Sequence, residues 1–360
     1  MDWEIFKGKK IILTGHSGFK GSWLMRWLEI LGAEVIGISI DIPTDPSNYR
    51  ILREKSLVKD NWLDIRNLDK LTKIFQDTKA DMIFHLAAQA LVSKAYENQV
   101  STYTTNVIGS INVLQAAINC KKIPKIVMVT SDKCYKNNEW CYGYRENDLL
   151  GGEDPYSASK AAAEILIHAF FKSYNSKNKI LLNLVTARAG NVIGGGDWAQ
   201  ARLVPDCMRA WANNKKVTIR SPHSTRPWQH VLEPLGGYLL LMEKLFKRDN
   251  KINGESFNFG PSLLQEITVG NLVESMATEW GGKASFTLHE SQFKEAGLLK
   301  LNCDKANSLL GWRPVFSSSE TFDMTIKWYK AFYKSTREEL LDITNQQIKD
   351  AMNRLNRLET

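Results

Sequence analysis

Along the first half of the chain, short runs that are apolar throughout alternate with longer stretches whose apolar residues recur every three or four positions. The runs lie at residues 10–14, 35–40, 82–86, 126–129 and 181–186, and the helical period occupies 22–31, 68–76, 106–119 and 157–174. A strand without a polar face is buried on both sides. The alternation therefore predicts an α/β fold, a doubly wound parallel sheet with helices on both faces. Right-handed crossovers then place a ligand crevice at the carboxyl ends of the strands.

Beyond residue 190 the pattern loosens into loops rich in glycine, proline and tryptophan. Two regions are expected: a Rossmann-type dinucleotide domain over 1–190, and a smaller, mixed substrate-binding region over 191–360 that returns some segments to the first sheet. The tail from residue 335 reads as a helix with a capping box of Ser335 and Glu338. Leu341, Ile348, Met352 and Leu355 share one of its faces.

Composition narrows the class. The chain of 360 residues is 43% hydrophobic and 24% charged, with a net charge of +8. That is an ordinary globular balance. The basic residues are scattered and not gathered into stripes, which argues against nucleic-acid binding and favours a small anionic substrate. Five cysteines without a CxxC pair suit a reducing compartment, and the six histidines form no metal-binding motif. With a first strand near residue 10 and no long apolar run, a cytoplasmic protein with neither signal peptide nor membrane span is expected.

Chemistry concentrates in three stretches. "KKIILTGHSGFKGSWL" sets Gly15, Gly18 and Gly21 between a strand and a helix, in GxxGxxG spacing. Glycines let the backbone approach a pyrophosphate, and the helix N-terminus offers it free N–H groups. Asp41, 20 residues after the last glycine, ends the second strand. A carboxylate there grips the adenosine ribose and repels the extra phosphate of NADP, which points to NAD. Asp64 in "WLDIR" follows the third strand and is a candidate for the adenine amino group. "FHLAAQA" brings small residues to the end of the fourth. The expected cofactor-binding set is Gly15, Gly18, Phe19, Lys20, Gly21, Asp41, Asp64, Ile65, Leu86, Ala87, Ala88 and Asn106, together with Tyr156 and Lys160.

In "GGEDPYSASKAAAE", Asp154 and Pro155 suit a helix start, and Tyr156 and Lys160 stand four apart on one face. An ammonium beside a phenol favours the phenolate, so Tyr156 can accept the proton of a hydroxyl being oxidised. "IVMVTSDKCY" ends the fifth strand with Ser131, Asp132 and Lys133. Ser131 completes a Ser/Tyr/Lys dehydrogenase set. Asp132 and Lys133 exceed its needs and suggest proton transfer at carbons beside a nascent ketone. Gln89 is a further candidate at the crevice. His85 and His230 read as structural, and Trp198 and Trp228 as either core or pocket wall.

Together these motifs resemble the extended short-chain dehydrogenase/reductase family over nearly the whole chain. The blocks "GHSGFKGSWL", "TSDKCYKN", "GYREND", "RAGNVIGGGDWAQARLVPD" and "RPWQHVLEPLGGYL" are similar to those of its CDP-glucose 4,6-dehydratase branch. The resemblance implies a hydro-lyase with a tightly held NAD, CDP-glucose as substrate, and a homodimer or dimer of dimers built through the helices at 106–119 and 157–174. It also implies Asp132 as the acid for the departing hydroxyl and Asn191, Arg202 and Arg226 on the sugar nucleotide. Other nucleoside-diphosphate-glucose dehydratases carry Asp-Glu where this chain has Asp132-Lys133. Lys133 is then the base for the carbon 5 proton, although a free lysine costs about 5 kcal/mol to deprotonate at pH 7. The alternative leaves that proton to Tyr156. A 4-epimerase would use Ser, Tyr, Lys and NAD without the Asp-Lys pair, and a dinucleotide sensor would need only the glycine turn.

Overall fold

The computed structural model describes residues 1–175, 181–219, 221–262, 267–282, 284–288 and 298–358. The first half runs β1 (Lys10–Thr14), α1 (Phe19–Ile30), β2 (Glu34–Ser39), α2 (Asn48–Arg53), β3 (Lys59–Trp62), α3 (Leu68–Thr78), β4 (Met82–His85), α4 (Val92–Glu97), α5 (Gln99–Tyr103), α6 (Gly109–Ile118), β5 (Lys125–Val129), α7 (Pro155–Asn175) and β6 (Leu184–Ala189). The second half adds β7 (Val192–Ile193), α8 (Leu203–Ala212), β8 (Val217–Ile219), β9 (Gln229–His230), α9 (Leu232–Phe246), β10 (Ser256–Phe259), α10 (Val269–Trp280), β11 (Phe286–Leu288), α11 (Asp304–Leu310), α12 (Ser318–Lys334) and α13 (Arg337–Asn356).

Seven strands form one sheet in the order β10-β6-β5-β4-β1-β2-β3, every neighbouring pair parallel. The order reverses between β1 and β4, which opens a crevice at their carboxyl ends. Ile12, Ile83, Ile126 and Leu184 pack toward α3, α6 and α7 on one face. Leu13, Phe84, Val127 and Val185 face α1, α9 and the C-terminal helices on the other. This two-sided burial is why the strands carry no polar alternation.

The last strand of the expected five starts at Leu184 rather than 181, because its ladder is fixed by pairing Ile126 with Leu184 and Thr186 with Ser256. The tail also differs. An amphipathic helix, α12, extends to Lys334, and Ser335 is its extended C-cap. The capping box of α13 therefore falls on Thr336 and Glu339, one residue later than the Ser335 and Glu338 pair read from the sequence. Leu341, Ile348 and Leu355 are buried as that helix predicts.

Helix α9 is buried along almost its whole length and lies against β5 and β6. Its Glu233 carboxylate accepts N–H bonds from Val315 (2.9 Å) and Phe316 (2.7 Å), while the second oxygen has no partner. Burial pushes this carboxyl up to about 8. Among the described residues, no helix is long and apolar enough to cross a membrane.

Candidate active site

The turn after β1 is shaped for a close approach. Gly15 has φ +75°, and a Cβ there would lie 2.7 Å from the Ala87 nitrogen and 2.9 Å from the Leu86 carbonyl carbon. A Cβ on Gly21 would run into the Gly15 carbonyl. Helix α1 starts at Phe19 with Gly18 as N-cap and no side chain on its first N–H groups. A bare cradle facing a helix N-terminus fits a dinucleotide diphosphate.

The surrounding candidates are placed as follows. Asp41 is exposed at the end of β2, its backbone carbonyl accepting the Ser17 hydroxyl at 2.5 Å. The Asp64 carboxylate is engaged by Arg66, which holds it below the usual carboxylate range. Ile65 is buried against Gly109. Asn106 is buried and spends its amide on the Gln89 backbone (2.8 and 3.0 Å) and the Ser159 hydroxyl (2.9 Å). The Gln89 amide in turn bonds Leu91 and Thr102. The Asn106 amide thus ties the loop after β4 to α7, and the Gln89 amide ties it to α5.

Asp154 caps α7 through the Ser157 N–H at 2.9 Å, so Tyr156 and Lys160 project from its first two turns. Across from them, Ser131 closes a short 3-10 turn over Asp132–Cys134, its hydroxyl accepting the Lys133 N–H at 3.2 Å. The same hydroxyl lies within hydrogen-bonding reach of Tyr156 and donates to Asp132 Oδ1 at 3.0 Å. The Lys160 ammonium sits 5.9 Å from the centre of the Tyr156 ring.

Burial dominates the electrostatics. It raises the Tyr156 phenol to about 12 and lowers Lys160 to about 8, the Lys160 shift opposed by Glu164. Asp132, 3% exposed, is pushed up by burial against the opposing charges of Lys133 and Lys20. Its Oδ2 has no partner and points to Gly190, where a Cβ would stand 3.2 Å away. The arrangement therefore places a carboxyl whose burial favours the acid form next to a phenol and two amines.

Lys20, expected at the cofactor, also faces this group. Burial lowers its ammonium to about 8 against the attraction of Asp132. Arg202 reaches the same space, since its charge acts on both Tyr156 and Lys20, and it is anchored by Asp197 at 2.8 Å. Asn191 stands on the crevice side of the sheet, before β7, its carbonyl accepting the Gln229 N–H. Arg226 donates to the Thr225 carbonyl at 2.8 Å. His85 is clamped between Thr14 and Ser110, His230 packs against Trp23 and Phe316, and Trp198 lies in an aromatic core with Tyr329 and Phe332. Three residues were not singled out from sequence: Thr130, Glu164 and Asp197. Glu164 carried a usable signal, because it continues the four-residue spacing of Tyr156 and Lys160.

A family model described as GDP-mannose 4,6 dehydratase matches residues 12–325. The chain belongs to that family. Within it, the chain is 45% identical over 356 residues to the CDP-glucose 4,6-dehydratase of Salmonella typhimurium, covering 98% of each sequence. The dTDP-glucose 4,6-dehydratase of Bacillus anthracis, solved in complex with NAD, superposes with a TM-score of 0.76 at 22% identity, covering 90% of this chain and 97% of that one. The UDP-glucose 4-epimerase of Thermotoga maritima, solved with UDP-glucose, gives 0.78 at 23%, covering 90% and 100%. These two structures share the fold with the dehydratase family.

Proposed function

We propose that the chain is a CDP-glucose 4,6-dehydratase, converting CDP-glucose to CDP-4-keto-6-deoxyglucose and water. The observation that carries this reading is the buried carboxyl of Asp132, its Oδ2 without a partner and its acid form favoured by burial, next to Ser131, Tyr156 and Lys133. An epimerase needs no such acid. The Gly15 cradle and the open N-terminus of α1 fit NAD, with Asp41 and Asp64 at its adenosine end. When bound, NAD would supply a hydride acceptor for carbon 4 and, once reduced, a hydride donor for carbon 6.

The remaining work belongs to side chains. Tyr156 Oη accepts the proton of the carbon 4 hydroxyl, and Lys160 offsets the burial that resists its ionisation. Ser131 Oγ orients that hydroxyl. The Asp132 carboxyl gives its proton to the departing carbon 6 hydroxyl. Lys133, in the same turn, removes the carbon 5 proton, which the neighbouring ketone acidifies, and gives a proton back to carbon 5 once carbon 6 is reduced. Arg202, with Asn191 and Arg226, receives the sugar nucleotide, a planar guanidinium being suited to a diphosphate.

We further propose a homodimer, or a dimer of such dimers. Ile108 before α6, and Ile165 and Leu166 on α7, are exposed apolar residues within the segments expected to pair, and Val100 and Tyr103 on the preceding α5 are exposed as well. The free cysteines suit the cytoplasm.

The test is CDP-glucose deuterated at carbon 4, incubated with the protein and NAD. The label should appear at carbon 6 of CDP-4-keto-6-deoxyglucose within the same molecule. Label lost to solvent, or CDP-galactose as product, would overturn the proposal.

A further inference from the structure

One turn beyond Lys160 on the same face of α7, the Glu164 carboxylate is paired with Arg188 of β6 at 2.8 Å, their side chains 2% and 3% exposed. Burying two charges is a poor route to stability, because an apolar pair of the same volume is often at least as stable. This pair is instead tied to three strands of the sheet. Glu164 Oε1 accepts the hydroxyl of Thr130, the residue before Ser131. Its Oε2 accepts hydroxyls from Thr186 of β6 (3.1 Å) and Ser256 of β10 (3.3 Å). Arg188 Nη1 donates to the Tyr135 phenol at 2.7 Å and to the Glu146 carbonyl at 3.0 Å, and its guanidinium lies over the Tyr135 ring. Tyr135 donates on to Asn258 at 2.7 Å. The segment bearing Ser131, Asp132 and Lys133 is thus gripped at both ends, at Thr130 and at Tyr135, by one ion pair rooted in the helix that carries Tyr156 and Lys160.

We infer that Glu164 and Arg188 are positioning residues, whose buried pair sets the proton-transfer turn against the Tyr156 and Lys160 face of α7. This rests on the reaction proposed above. Glu164 has a second, electrostatic consequence. The charged or titratable groups facing Lys160 are Tyr156 and Glu164 on its own helix, Cys134 from the turn, Lys20 from α1 and His85 from β4. Of the two that raise the Lys160 ammonium, Glu164 has the larger effect.

Thr130→Val removes one tether without opening a cavity, and Thr130→Ser restores it. The valine variant should lose about tenfold in kcat with KM for CDP-glucose within twofold of wild type, as a slightly displaced catalytic group does, and the serine variant should recover wild-type turnover. In Glu164→Gln, the lysine 13Cε NMR titration of Lys160, assigned against Lys160→Met, should move to lower pH, and the alkaline limb of kcat should move the same way. Full kcat in Thr130→Val beside an active wild type, or an unmoved Lys160 titration in a folded Glu164→Gln, would overturn the inference alone. Wild type that leaves CDP-glucose untouched would overturn the proposed reaction and this inference with it. If Glu164→Gln does not fold, the valine and serine pair decides.

Discussion

Glu233 makes the stability of this protein depend on pH in a way that one substitution should reverse. In the unfolded chain its carboxyl ionises near 4.5, whereas in the folded protein burial holds it protonated up to about 8. Between those values folding takes up a proton, so stability is full below about 4.5 and declines until the folded group ionises. At about 1.4 kcal/mol per pH unit, the loss from 4.5 to about 8 approaches roughly 5 kcal/mol. Glu233→Gln keeps an oxygen for the Val315 and Phe316 N–H groups but places an amide NH2 where Oε2 has no partner. The amide leaves two unsatisfied N–H bonds where the protonated carboxyl leaves one O–H, a difference of about 1–3 kcal/mol at every pH. The variant should therefore be less stable than wild type at pH 5 and more stable at pH 8.5, the difference changing sign between. At about 2 °C per kcal/mol or less for a chain of this size, the relative Tm should swing by several degrees. Thermal unfolding of both proteins across pH 5–8.5 by differential scanning fluorimetry measures it. A Tm difference that stays constant across that range would refute the reasoning.

Four further outcomes test the site. Asp132→Asn should lower turnover about 100-fold or more by removing the general acid, while NAD binding by calorimetry stays at the wild-type value. Lys133→Met should abolish exchange of the carbon 5 proton with deuterated solvent, measured by proton NMR; exchange at the full rate would hand that proton to Tyr156. Gly15→Ala forces a side chain into a left-handed backbone at about 1–2 kcal/mol and into the Ala87 backbone besides, so NAD affinity should fall about tenfold or more. Ile165→Glu with Leu166→Lys places charges among the exposed apolar residues of α7, and light scattering at micromolar concentration should report a smaller species than the dimer or dimer of dimers proposed for wild type.

The parallel sheet was legible because its strands are apolar on both faces, and the catalytic pair because four-residue spacing on a capped helix is a local signal. What could not be read depended on partners distant in sequence. Arg188 interrupts the apolar run of β6 and hid its true extent, since nothing nearby announces that Glu164 on α7 neutralises it. Lys20 was assigned to the cofactor from its place in the glycine turn, and only folding brings it to Asp132. Asn106 and Gln89 have the polar amides expected near a crevice, and folding engages those amides with the Gln89 backbone and Ser159, and with Leu91 and Thr102. At the tail, the serines and charged residues of α12 obscured its apolar stripe, so the following cap was placed one residue early.

The seventh strand of the sheet comes from residues 256–259, far along the chain from the β6 edge on which it docks. During synthesis β6 is therefore finished about 70 residues before its neighbour exists, an interval of about 4–14 s at 5–20 residues per second. Through that interval the nascent chain presents an unpaired strand edge, and the ion pair under the catalytic turn lacks its Ser256 contacts. A ribosome-bound fragment stopped near residue 200 should accordingly need a chaperone to stay unaggregated. The catalytic crevice becomes complete only after most of the polypeptide has been made.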